Sequence, residues 1–226
     1  MLELVYFPGP GRAEASRIAL SLSGLEWQDI EVDGGRYETM KKNGELPWDM
    51  LPVLRTSEGT IAESSAILRF AGCQAGLIPQ DPYQCAKADE FIDGMLPLFE
   101  ALNSTFSISD LAERIQRRME LFEPQGECTK TLLLLERKIA QSETGWAAGT
   151  DQMSIADLKL FTDVFFLFSG NFDGIEPSII SNYPRLLEFH HKMSSEPRIQ
   201  AHYANIDSED IRWVFLPKAF ENLSRV

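Results

Sequence analysis

Within the 226 residues, a phenol, a proline-glycine turn and an arginine stand close together in Tyr6-Phe7-Pro8-Gly9-Pro10-Gly11-Arg12. A hydroxyl donor at the end of an apolar run thereby meets the start of a helical pattern, whose positive end would face a small anion held beside Tyr6. Taken alone, Tyr6 also reads as a tyrosine packing a strand edge. Leu51-Pro52 contains an X-Pro bond, almost the only peptide type open to the cis form; on those two residues alone a trans proline at a strand entry is the ordinary reading. Glu63-Ser64 precedes a further helical pattern, where a serine suits an N-cap. The three cysteines, Cys73, Cys85 and Cys128, are odd in number and widely spaced. They support neither a disulfide framework nor a zinc site, and no metal is expected. None stands at the strand-to-helix turn, so thiol-disulfide chemistry is not indicated and all three read as buried structural thiols.

These groups need elements to hold them. Leu2 to Phe7 reads as a strand stopped by Pro8 to Gly11. Arg12 to Leu22 follows as a helix with Ala15, Ile18, Ala19 and Leu22 at helical spacing, stopped by Gly24. Trp27 to Val32 alternates as a second strand, and Tyr37 to Asn43 is a polar helix. Leu51 to Arg55 and Gly59 to Ala62 flank Thr56-Ser57-Glu58 as a hairpin, and Ser64 to Gln74 returns to helix. Helices recurring between short strands in this order form a thioredoxin-like α/β layer.

The period changes after Ala75 to Pro82, a Gly- and Pro-bearing stretch suited to a linker. Residues 1–75 therefore form the expected first domain, 76–82 the linker and 83–226 an all-helical second domain. Its helices are expected over Tyr83 to Phe106, Asp110 to Phe122, Glu127 to Ser142, Ile155 to Ser169 and Pro184 to Ser194. Ser154-Ile155-Ala156-Asp157 is a capping box, which gives Ser154 and Asp157 a structural reading. The tail from Ile211 to Val226, with Trp213, Phe215 and Phe220, is apolar enough to pack back onto the body.

Composition limits the partners. Hydrophobic residues make up 44% and charged residues 24%, so a buried core is feasible. The net charge of −13 disfavours phosphate backbones and anionic lipid, so neither nucleic acid nor a membrane surface is an expected partner. The start Met1-Leu2-Glu3-Leu4 runs directly into a strand without a basic leader pattern, and the cysteine usage fits a reducing compartment; a cytoplasmic location is expected.

Tyr6 to Glu14, Met50-Leu51-Pro52-Val53-Leu54, Ile61 to Leu68, and Trp146-Ala147-Ala148-Gly149 leading into the capping box together resemble the tyrosine-type cytosolic glutathione transferases. The Gly-Arg-Ala-Glu turn and the proline segment lean toward the sigma class. The resemblance spans nearly the whole chain and implies that glutathione is the co-substrate, with Tyr6 donating a hydrogen bond to its thiolate. A free thiol has a pKa near ~8.5, so some stabilisation of the anion is required at neutral pH. By the same resemblance Leu51 and Pro52, with Met50, pair with the cysteinyl backbone as a short antiparallel strand. Glu63 and Ser64 receive the glutamyl end, and Arg12, Tyr37 and Lys41 lie toward the glycine carboxylate. Glu63 departs from the family's common glutamine, and Pro97 stands where an acid often reaches the glutamyl ammonium.

A second-substrate pocket against the helical half is expected from Phe7, Pro8, Phe99, Asn103, Phe106 and Phe215. Trp48 occupies the place of an aromatic key between subunits, implying a homodimer. The expected activity is conjugation of glutathione to small hydrophobic electrophiles. A glutathione-dependent isomerase or peroxidase, and a non-catalytic ligandin or crystallin-like binding protein, are the alternatives.

Overall fold

The structure is a computed structural model that describes residues 1–221. Strands β1 (Leu2–Tyr6), β2 (Trp27–Glu31), β3 (Val53–Thr56) and β4 (Gly59–Ala62) form one sheet in the order β2-β1-β3-β4. β1 runs parallel to β2, the crossover being α1 (Glu14–Leu22), and antiparallel to β3. A parallel neighbour demands such a crossover, whereas the β3–β4 hairpin needs only the short turn at Ser57-Glu58.

Because side chains alternate along a strand, β1 and β3 feed two cores. Leu4 and Leu54 face α1 and α3 (Ser64–Gln74) within a large core that continues into the helical half. Val5 and Val53 face a small one with Val32, Met40, Leu46 and Leu51, covered by α2 (Gly34–Lys42). Tyr6 shares the face of Leu4. Its ring is thereby aimed at the helical half, while Phe7 packs on Tyr37 of α2 with ring centroids 5.3 Å apart.

The remaining helices are α4 (Pro82–Gly94), α5 (Leu96–Asn103), α6 (Leu111–Leu121), α7 (Glu127–Gln141), α8 (Ile155–Leu167), α9 (Pro184–Ser194) and α10 (Pro197–His202). The single helix expected from Tyr83 to Phe106 is broken at Met95, with Pro97 in the first turn of α5. Proline lacks an N–H and clashes with the preceding turn, so it is accommodated at a helix start and not inside one. α8 is buried on nearly all sides, between α1, α4 and the C-terminal segment. Its start carries the expected capping box: Asp157 accepts from the Ser154 N–H at 2.7 Å and also from the Ala147 N–H at 2.6 Å. No helix among the described residues is long and apolar enough to cross a membrane.

Candidate active site

The turn after β1 is fixed through its main chain. Arg17, buried in α1, donates from Nη1 to the carbonyls of Gly9 at 2.8 Å and Pro10 at 3.0 Å, and its charge is matched by Glu14 and Asp29. Gly11 has φ +46°, and an added Cβ there would lie 2.6 Å from the Tyr6 hydroxyl oxygen. Only glycine lets the turn close on the phenol.

Within that turn the Arg12 N–H donates to Tyr6 Oη at 3.2 Å. Burial pushes the Tyr6 hydroxyl above its ordinary pKa, against the opposing effects of the Arg12 N–H and the Arg12 and Arg17 charges. The phenol therefore keeps its proton at neutral pH. One lone pair is engaged by Arg12, and among the described residues the O–H has no acceptor, so it can be donated to a ligand.

Tyr6 lines a cleft of about 240 Å³ between the sheet and the helical half. Phe7, Pro8, Arg12, Phe99, Asn103 and Phe106 line it as well, so five of the six residues expected for an apolar pocket meet here. Phe215 does not. It is 1% exposed, stacked on Tyr203 at 5.3 Å and packed on Phe161 at 5.4 Å, because helical spacing does not distinguish core from wall. The C-terminal segment contributes Ile211 instead, and α8 and the loop after it add Phe166 and Phe172, none of which stood out in the sequence.

The cleft floor carries charge that the sequence did not signal. Asp163 of α8 is ion-paired with Lys159, and burial pushes its carboxyl upward against the nearby Lys159 and Arg12. The Arg12 guanidinium lies 5.3 Å and the Lys159 ammonium 4.6 Å from the Phe99 ring centroid.

A second group lies to the side of this cleft, connected through Phe7. The Tyr37 hydroxyl donates to the Asp49 carbonyl at 2.9 Å, holding the loop before Leu51, and Lys41 sits 5.3 Å from the Tyr37 ring centroid. The Leu51–Pro52 bond is cis. Among the described residues, the Leu51 main chain forms no backbone hydrogen bond. Met50 is half exposed and Trp48 is 70% exposed in the same loop. Glu63, and not Ser64, is the N-cap of α3; it has φ 69° and ψ 118°, and its side chain makes no capping hydrogen bond. A non-glycine residue in that region is strained, and such strain is concentrated at ligand sites. Nothing in the sequence around Glu63 announces that backbone. Pro97 is exposed.

Two cysteine expectations need correction. Cys128 is buried, but Cys73 is exposed and Cys85 intermediate, because the ends of α3 and α4 are covered on one side only. Among the described residues, no group of three or more His, Cys, Asp or Glu is placed to hold a metal ion.

Comparison with known proteins agrees with this geometry. Residues 2–72 match the family model of the glutathione S-transferase N-terminal domain, and residues 105–205 that of the C-terminal domain. The chain belongs to the glutathione S-transferase family. Glutathione S-transferase P of Bos taurus is 26% identical over 89% of this chain and 91% of its own length. S-crystallin SL11 of Nototodarus sloanii is 23% identical over 88% and 93%. Among solved structures, prostaglandin synthase D of Nilaparvata lugens superimposes with a TM-score of 0.79 at 22% identity, covering 92% of this chain and 98% of that one. The fold class read from the sequence, a thioredoxin-like unit followed by a helical one, is that of the glutathione S-transferases.

Proposed function

We propose that the chain is a glutathione transferase in which Tyr6 stabilises the glutathione thiolate for attack on a hydrophobic electrophile bound in the adjoining cleft. One observation carries this reading: the Tyr6 hydroxyl, pushed above its ordinary pKa by burial, is engaged on one side by the Arg12 N–H and stands on the wall of a largely apolar cleft. A hydrogen bond from a neutral phenol favours the thiolate over the thiol, and lowering a thiol pKa by two units takes ~2.7 kcal/mol. The reaction then needs no metal. The sulfur lone pair forms the new bond to the electrophile; in a substitution the leaving group departs with the electrons of the broken bond, and in an addition the displaced π pair stays on the adduct and takes up a proton from water.

Glutathione is assigned as co-substrate along the side of the cleft, its cysteinyl backbone against Leu51 and Pro52 beside Met50. Its glutamyl carboxylate meets the start of α3 at Glu63 and Ser64, and its glycine end lies toward Arg12, Tyr37 and Lys41. Residues 1–75 form the glutathione-binding unit, 76–82 the linker, and the helices from residue 83 on supply Phe99, Asn103 and Phe106. We assign the chain to the cytoplasm and to detoxification of electrophiles. Its homodimer buries Trp48, since a side chain 70% exposed is costly to leave in water. Sedimentation of Trp48→Ala is expected to show a shift toward monomer.

The similarity to S-crystallins supports a second reading as a binding protein. Isothermal titration with glutathione, followed by turnover of an activated aryl halide, separates the two. Saturable binding with turnover supports the transferase; binding without turnover selects the crystallin-like alternative.

A further inference from the structure

Away from the cleft, α3 and α4 face each other across the junction of the two halves. Arg69 of α3 pairs with Asp89 of α4 at 2.6 Å and with Asp93 at 3.3 Å. Cys73 lies one turn further along α3 from Arg69, and Cys85 one turn back along α4 from Asp89. All four residues line one cavity of about 240 Å³. Cys73 and Cys85 thus each stand one turn from the ion pair on their own helix, and both border the same cavity. The rest of the wall is apolar: Ile78 and Pro79 of the connecting segment, Ala88 and Ile155. Both thiols are free.

Two sulfurs without further ligands do not make a zinc site, which takes four donors. Among the described residues, no third His, Cys, Asp or Glu joins them at metal-holding range. Soft, thiophilic centres of lower coordination number fit two sulfur donors, and a third, apolar substituent would fill the apolar remainder of the cavity. We infer that Cys73 and Cys85 form a dithiol binding site for a trivalent thiophilic centre bearing an apolar group, the chemical class of the organoarsenicals. Capture of an arsine oxide forms two As–S bonds. The As=O bond breaks, and its oxygen leaves as water with the two thiol protons, so no electrons are transferred and no oxidant is needed. The linked helices belong to different halves of the fold, so an occupied site would tie the sheet unit to the first helix of the helical unit.

The test is titration of the whole protein with phenylarsine oxide, followed by intact-mass spectrometry without reductant. One phenylarsine per chain with loss of one water is expected, retained in excess glutathione and released by a small dithiol. Chelation by two tethered thiols should strengthen retention about a hundredfold over either thiol alone. Cys73→Ser and Cys85→Ser should each lose that factor. Cys128→Ser should not, since Cys128 is buried and its thiol is pushed up to about 12 by burial. Peptide mapping of the wild-type adduct locates the arsenic without relying on a variant's folding. Arsenic on any other pair, full retention by either single variant, no capture, or an adduct that joins two chains on a non-reducing gel would each overturn the inference.

Discussion

Replacing Tyr6 by phenylalanine removes one oxygen from the cleft and leaves the ring packing in place. Two hydrogen bonds go with it: the one proposed to the thiolate, and the 3.2 Å acceptance from the Arg12 N–H. A hydrogen bond to a charged group contributes about 1.5–3 kcal/mol, equivalent to about one to two pKa units on the bound thiol. If Tyr6 brings that thiol from ~8.5 to ~6.5, the thiolate fraction at pH 7 rises from about 3% to about three-quarters. Tyr6→Phe should therefore slow conjugation about 25-fold at pH 7, and the gap should close as pH rises past ~8.5, where the thiolate forms unaided. The assay is ultraviolet difference titration of bound glutathione, since thiolate absorbs where thiol does not, paired with turnover at matched pH. A bound thiol that titrates identically in both proteins, or a rate gap that does not narrow at high pH, would refute the role given to Tyr6.

Gly11→Ala should approach the same loss with the tyrosine still present, because the new Cβ would stand 2.6 Å from its oxygen; the bound-thiol titration reads this directly. Asp157→Ala leaves the buried N–H groups of Ala147 and Ser154 without their acceptor and should cost about 2–5 kcal/mol, read by urea unfolding at pH 7. His190 is buried with Nε2 2.7 Å from the Val214 carbonyl, and burial pushes its pKa down from 6.5 to about 4. Since the folded state disfavours the charged ring, stability should fall as pH drops from ~6.5 toward ~4, by about 3 kcal/mol in total. His190→Gln should flatten that slope in unfolding measured between pH 7 and pH 4.5.

Much of this architecture is written locally. The β1 strand, the turn at Pro8 to Gly11, the hairpin, α7, α9 and the box at Ser154 and Asp157 each rest on signals within a few residues of one another. Tyr6 and Arg12 stand together because they flank one turn, which sequence alone displays. The network that holds the turn is another matter. Glu14, at the start of α1, is bound by Tyr203 at 2.9 Å across 189 positions, and no local pattern announces such a pair. Nor does helical spacing say that Phe215 is core while Ile211 reaches the cleft, since both lie on one short apolar stretch. Pro97 carried the break between α4 and α5 in plain view, but continuous apolar periodicity on either side hid it. The left-handed backbone at Glu63 has no residue-type signal at all.

The grip of Arg17 on the carbonyls of Gly9 and Pro10 specifies a path for the chain without specifying the side chain at position 8. Pro8 lines the cleft and is itself exposed. One wall of the pocket can thus be rewritten while the phenol stays on its mark. The scaffold that holds the phenol and the surface that borders the cleft are thus specified by different residues, the first by Arg17 and the second by Pro8.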